Sequence, residues 1–178
     1  KPPVVSSEER RTNLALRAEI DKLSPEEKDE VIRDLRRRVF TDELTGLKNR
    51  AAYMVDEKQP FQAIIDLDNL KWINDNIGHA AGDTLIKTFA NALPEGAYRI
   101  SGDEFVVQGK SREELDSALS SIEALLNEQI IELVGDKKTV FKKGIGFSYG
   151  IGETLDKAET ALQEHKKARL AEGKRVER

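Results

Sequence analysis

From residue 40 onward, short apolar runs alternate with longer stretches in which apolar residues recur every three to four positions. The run Phe61-Gln62-Ala63-Ile64-Ile65-Asp66-Leu67-Asp68 reads as a buried strand that turns acidic at its C-terminal end. Ala97-Tyr98-Arg99-Ile100 and Phe105-Val106-Val107 read as two strands joined at Ser101-Gly102. The pattern predicts strands over 61–66, 97–101, 104–108 and 139–150, and helices over 79–92, 111–129 and 153–171. In the helix from Ser111, Leu115, Leu119, Ile122, Leu125 and Leu126 fall at helical spacing and are expected to face the core. The glycines of Gly144 to Gly152 are too regular for a dinucleotide phosphate cradle; they predict a strand closely approached by another backbone.

Upstream the pattern changes. Residues 1–7 read as linker, and 8–22 and 25–39 as two charged helices. Ser24-Pro25-Glu26-Glu27 supplies an N-cap, a proline at the first helical position and a capping glutamate. Val31, Ile32, Leu35 and Val39 form a narrow apolar stripe that packs either on the domain or on a second copy of itself. Pro25 argues against one uninterrupted coiled coil. The chain therefore divides into a linker and helical extension over 1–39 and a folded domain over 40–178. It begins Lys1-Pro2-Pro3 without a methionine, a poor start for a domain, and is expected to be cut from a longer protein with additional domains.

Composition narrows the classes. At 178 residues, with 38% hydrophobic and 35% charged residues, the chain suits one substantial core under a heavily charged surface. No apolar run approaches membrane-spanning length and no signal-peptide pattern opens the chain, so a cytoplasmic location is expected. The absence of cysteine excludes disulfides, thiol nucleophiles and thiolate-bound zinc. A net charge of −4 argues against a broad nucleic-acid surface. The basic end from His165 onward reads as a solvated tail favoured by the helix dipole, although one lysine there could reach a nucleotide phosphate.

The chemistry sits where strands end. Asp66 and Asp68 close one apolar run, and Asp103 and Glu104 follow the Ser101-Gly102 turn. If the hairpin lies beside the first strand, these carboxylates converge. Mg²⁺ takes one or two carboxylates and fills its remaining positions with water and substrate phosphates, so such a site suits phosphate chemistry. An acidic turn exposed to solvent is the plainer alternative. An EF-hand reading of Asp66 to Asn76 fails, because Leu70 and Lys71 stand where a ligand and a glycine are needed. The lack of exposed aromatic ladders argues against a ferredoxin-like, base-stacking RNA-binding sheet.

Three ordered blocks decide between these readings: Asp42-Glu43-Leu44-Thr45-Gly46-Leu47-Lys48-Asn49-Arg50, Asp66 through Asp83, and Arg99 to Phe105. Together they resemble the signature blocks of the GGDEF family of diguanylate cyclases over residues 40 to 170. The resemblance implies an α+β, palm-like (ferredoxin-like) nucleotidyl cyclase domain, with helices covering a central, mostly antiparallel sheet. It implies a Mg²⁺-dependent (or Mn²⁺-dependent) enzyme that condenses two GTP into cyclic di-GMP and two pyrophosphates as a homodimer, each copy holding half of the reaction.

By that resemblance Asp66, the Leu67 carbonyl and Asp103 bind metal, and Glu104 is a second ligand or a general base. Asp68 is at least as well explained as a helix cap. Asn74 and Asp83 correspond to the residues that read guanine. Lys71, the main-chain amides from Asn69 through Leu70 to Lys71, and Lys166 would meet the triphosphate. Lys71 joins Asp103 and Glu104 in the catalytic set, while Gly78 and His79 shape a bend.

The chain also departs from the family pattern. Ser101 replaces the first glycine of the signature, which costs about 1 kcal/mol or more if that position needs a positive φ. The window Ala92-Leu93-Pro94-Glu95 lacks the Arg-x-x-Asp motif of the family's inhibitory product site, so product feedback there is expected to be absent. In the last helix Lys166 is matched by position, and the second phosphate-binding residue is Arg169, Lys174 or missing. Ser101 and the altered last helix motivate the alternative of a degenerate domain that binds GTP and serves as a regulatory or interaction module.

Overall fold

The computed structural model describes residues 6–128, 131–134 and 140–173. The chain forms two compact units that divide between Val39 and Phe40. In the first, α1 spans Ser7–Asp21 and α2 spans Pro25–Phe40, its last residue belonging to the second unit. The expected capping box forms: Ser24 N donates to Glu27 Oε2 at 2.8 Å, and Glu27 N donates to Ser24 Oγ at 3.2 Å. The stripe residues Val31, Ile32, Leu35 and Val39 are exposed.

The second unit is α+β. Its order is β1 (Lys48–Asn49), α3 (Arg50–Val55), β2 (Phe61–Leu67), α4 (Leu70–Asn76), α5 (His79–Ala92), β3 (Tyr98–Arg99) and β4 (Glu104–Gly109). It continues through α6 (Arg112–Glu128), β5 (Ile131–Val134), β6 (Val140–Lys143), β7 (Phe147–Gly152) and α7 (Leu155–Ala171). Five strands form one sheet in the order β1-β3-β4-β2-β7, antiparallel except for the β1–β3 pair.

Alternation along the strands assigns the two faces. Ala63, Ile65 and Leu67 of β2, with Phe105 and Val107 of β4 and Phe147 of β7, meet the apolar sides of α5 and α6. Phe89 of α5 packs at 4.9 Å from Phe105 and 5.2 Å from Phe147, ring centre to centre. On the other face, Ile64 and Val106 join Tyr53 of α3 and Tyr98 of β3. There α7 lies so close to β7 that a side chain at Gly150 would collide with the backbone of Ala158 and Leu162, which is the close approach that the glycine spacing predicts. Asp66 belongs by alternation to this second face. The sheet thus delivers it toward α7.

Several expectations change. The strand predicted over 139–150 is divided into β6 and β7 by residues 144–146, and β6 pairs with β5 in a separate two-stranded ladder; residue 139 lies outside the described residues. The strand predicted over 97–101 shrinks to Tyr98–Arg99, because the Ile100 and Ser101 amides already turn to the Glu104 carbonyl. Leu125 is exposed, whereas Leu115, Leu119, Ile122 and Leu126 are buried. Short β1 and α3 escape periodicity altogether. Asn49 starts α3 by accepting from Ala52 N at 3.0 Å. Among the described residues no helix is long and apolar enough to cross a membrane.

Candidate functional site

β2 and β4 bring the acidic strand ends together. Their register pairs Asp66 with Glu104, and Leu67 N donates to the Asp103 carbonyl at 2.9 Å. The turn Ser101–Glu104 is closed by paired backbone bonds at 3.4 Å and by the Ser101 hydroxyl, which donates to Glu104 Oε2 at 2.8 Å. Ser101 does not have a positive φ: Asn69 is the one non-glycine residue with that conformation among those described. The strain that a positive φ would have imposed on serine therefore does not arise. Gly102 is exposed, with open space where a side chain would be.

A residue without an assigned role in the sequence reading holds this turn. Arg99 donates through Nε and Nη2 to the Gly102 carbonyl at 3.3 and 2.9 Å, and through Nη1 to both Asp42 carboxylate oxygens at 3.0 and 3.2 Å. Asp42 also accepts from the amide and hydroxyl of Thr45, at 2.9 and 2.7 Å. Burial pushes the Asp42 carboxyl upward, but the hydrogen bonds from Thr45 and Arg99 outweigh it and hold its pKa below the ordinary value. The first and third sequence blocks are thereby joined at the hairpin.

Asp66 is 2% exposed and accepts from Lys166 Nζ at 2.7 Å, a cation delivered by α7. The N-cap position of α4 falls to Asn69 rather than Asp68. Asp68 is buried, accepts from Arg169 Nε at 2.9 Å and from Ser148 Oγ at 3.0 Å, and its amide donates to the Gly146 carbonyl. Arg169 also donates to Glu123 of α6. This arginine, 4% exposed and bound to two carboxylates, is buried away from an incoming phosphate; Lys174 lies outside the described residues.

Asn69 takes a left-handed φ of 64° at the start of α4, a conformation that asparagine tolerates better than most residues. Leu70 buries its side chain in the core, so only its main chain can serve a ligand, while Lys71 is exposed. On α4, Asn74 Oδ1 is a buried acceptor with no partner among the described residues. It rests on α5 at Gly82, where any side chain would overlap it, next to the exposed Asp83. The structure thus groups Asp66, Leu67, Asp103, Glu104 and Lys166 at the strand ends, and brings the Asn74 and Asp83 segments together between α4 and α5. His79, exposed at the start of α5, follows the positive-φ bend at Gly78.

Among the described residues no three acidic or histidine side chains enclose an ion by themselves. The oxygen-only donor set still fits Mg²⁺ or Mn²⁺, which draw on few carboxylates and leave positions for phosphate oxygens.

The comparisons agree with this architecture. The family described as "Diguanylate cyclase, GGDEF domain" matches residues 37–172. Diguanylate cyclase DgcS of Shewanella oneidensis is 31% identical over 137 residues, covering 66% of this chain and 43% of that protein. Diguanylate cyclase DgcN of Escherichia coli is 30% identical over 150 residues, covering 74% of this chain and 36% of that protein. The chain thus spans less than half the length of either relative. The coiled coil and GGDEF domain of DgcB from Caulobacter crescentus, solved in complex with c-di-GMP, shares the fold with a TM-score of 0.61 at 20% identity, covering 96% of this chain and 97% of that one. With Asp66 and Glu104 paired across the ends of β2 and β4 and the signature hairpin beside them, the chain belongs to the GGDEF-domain family of diguanylate cyclases.

Proposed function

We propose that the domain over residues 40–178 condenses two GTP into cyclic di-GMP as a homodimer, in the cytoplasm and with Mg²⁺ or Mn²⁺. The observation that carries this reading is the register pairing Asp66 with Glu104, which sets the hairpin carboxylates beside a buried strand-end carboxylate. Asp66, the Leu67 carbonyl, Asp103 and Glu104 would hold the divalent ion. When bound, that ion supplies charge neutralisation at the α-phosphate and a lower pKa for the attacking 3′-hydroxyl.

The remaining work falls to the chain. The Asn74 acceptor takes a guanine N–H, and Asp83 accepts from the N1 and N2 hydrogens that distinguish guanine from adenine. Lys166, Lys71 and the amides from Asn69 to Lys71 offset the triphosphate charge. Each 3′-oxygen then bonds to the α-phosphorus of the nucleotide on the facing copy, and the α–β P–O bond breaks to release pyrophosphate. Glu104 is the candidate acceptor for the hydroxyl proton.

Product feedback at residues 92–95 is absent in this reading. The hollow of about 570 Å³ beside Pro94, Glu95 and Gly96 is lined by Asp56, Glu57, Glu95 and Glu114 against Lys48 and Lys110, a charge balance that opposes a phosphodiester ligand.

A second reading is favoured by the burial of Arg169, which leaves Lys166 as the α7 cation at the site: a domain that binds GTP without turning it over and acts as a regulatory module. Incubation with GTP and Mg²⁺ at high protein concentration, followed by mass spectrometry, separates the two. Cyclic di-GMP that disappears in Asp103→Ala supports the enzyme. GTP binding without cyclic product supports the module, and product that persists in Asp103→Ala refutes the site assignment.

A further inference from the structure

α7 lays two cations, one helical turn apart, on the acidic end of β2. Lys166 and Arg169 share a helix face through their i, i+3 spacing, and they meet Asp66 and Asp68, two positions apart. The two rungs differ in how firmly they are tied. Arg169, its side chain 5% exposed, divides its donors between Asp68 and Glu123. Asp68 is further held by Ser148 and, through its amide, by Gly146. That rung is locked.

Lys166 is tied to one carboxylate, with its side chain 19% exposed. Its ammonium sits on a flexible four-carbon stem and can swing without moving the helix. It donates to Oδ2 of Asp66, a carboxylate that the proposed function gives to the divalent ion, while the same reading gives Lys166 to the triphosphate. A buried carboxylate stripped of its cation is strongly disfavoured, so one positive partner must replace the other.

We infer that Lys166 is the exchangeable counter-ion of Asp66. A divalent cation displaces the ammonium from the carboxylate, and the ammonium moves onto the incoming phosphate chain, while Arg169 holds α7 in place on Asp68. Metal and nucleotide then favour each other's binding: the metal must evict a lysine, and the phosphate gives that lysine a new partner. This inference rests on the metal and nucleotide reading above.

The test is Mn²⁺ binding, followed by electron paramagnetic resonance, without nucleotide and with a GTP analogue carrying a non-hydrolysable α,β linkage. Wild type, Lys166→Met and Asp66→Asn are compared. Without nucleotide, Lys166→Met should bind Mn²⁺ about fivefold or more tightly than wild type, and the enhancement by the analogue should shrink by a similar factor. Lys166→Gln carries the same expectation should the methionine variant fail to fold.

Mn²⁺ binding that depends on Asp66 but shows the same analogue enhancement with and without Lys166 overturns the exchange alone. That result includes a uniform gain in affinity from lost charge repulsion. Mn²⁺ binding indifferent to Asp66→Asn overturns the site reading and this inference together.

Discussion

Replacing Arg99 with methionine keeps a similar stem and removes the guanidinium that joins Asp42 to the hairpin. The lost bonds are Nη1 to Asp42 at 3.0 and 3.2 Å, and Nε and Nη2 to the Gly102 carbonyl at 3.3 and 2.9 Å. With side chains 12% and 22% exposed, the ion pair lies between two limits. Breaking a buried pair costs about 3–5 kcal/mol, and exposed pairs are worth about 0.2–1 kcal/mol. Two features pull it below the upper limit: Asp42 keeps both bonds from Thr45, and the exposed Gly102 leaves its carbonyl open to water. The expected loss is about 2 kcal/mol, a fall in melting temperature of about 4–8 °C.

Urea unfolding followed through the single tryptophan, half-buried Trp72, measures this loss. A double-mutant cycle with Asp42→Ala should return a coupling of about 1–2 kcal/mol. Turnover should fall about tenfold to hundredfold with little change in KM for GTP, because the turn carrying Asp103 and Glu104 loosens while Asn74 and Asp83 stand on other elements. A stability change within about 0.5 kcal/mol, or strict additivity with Asp42→Ala, would refute the clamp.

Ser101→Gly should give no gain in stability, since Ser101 has no positive φ, and a loss within about 1 kcal/mol from the bond to Glu104; a clearly stabilised variant in thermal melts would contradict the turn geometry. Gly82→Ala drives a methyl group into Asn74 Oδ1 and should weaken GTP binding in calorimetry about tenfold while costing about 1–3 kcal/mol of stability; unchanged affinity would separate Asn74 from the nucleotide. For Asp42, burial acts upward and the hydrogen bonds from Thr45 and Arg99 prevail, so its folded pKa lies below the ordinary 3.8. Its stabilisation is therefore present above that value and lost as pH falls through the lower folded value. In denaturation, Asp42→Asn should trail wild type near pH 6 and converge on it below about pH 4, and a gap that widened in acid would reverse the argument.

The parts of this molecule legible in the sequence are those that local rules encode. Ile65 to Leu67 and Phe105 to Val107 announce strands because both faces of the central sheet are covered, and Leu115, Leu119, Ile122 and Leu126 announce a helix because one face is. Asp66, Asp103 and Glu104 stood out because carboxylates interrupt apolar runs at strand ends. Lys48 and Asn49 form a strand only by pairing with Tyr98 and Arg99, a partnership that two residues cannot signal. The break at residues 144–146 was hidden because the same glycine spacing suits a continuous strand or two. Arg99 was visible within its block, yet its partner Asp42 lies 57 positions away, and no local period spans that distance.

The last helix shows why charge alone is a poor guide to such contacts. Cations near a helix C-terminus are favoured by the dipole whether solvated or buried, so Lys166, Lys167 and Arg169 look alike in sequence. The structure separates them by face: Lys167 is exposed, while Lys166 and Arg169 fall on the face turned to β2. The separating signal is geometric, a basic pair spaced i, i+3 against an acidic pair spaced i, i+2 at a strand end. That match requires α7 to lie close against β7, and Gly150 permits the approach. The glycine pattern and the basic helix end are therefore one feature: the first sets the distance at which the second can meet Asp66 and Asp68.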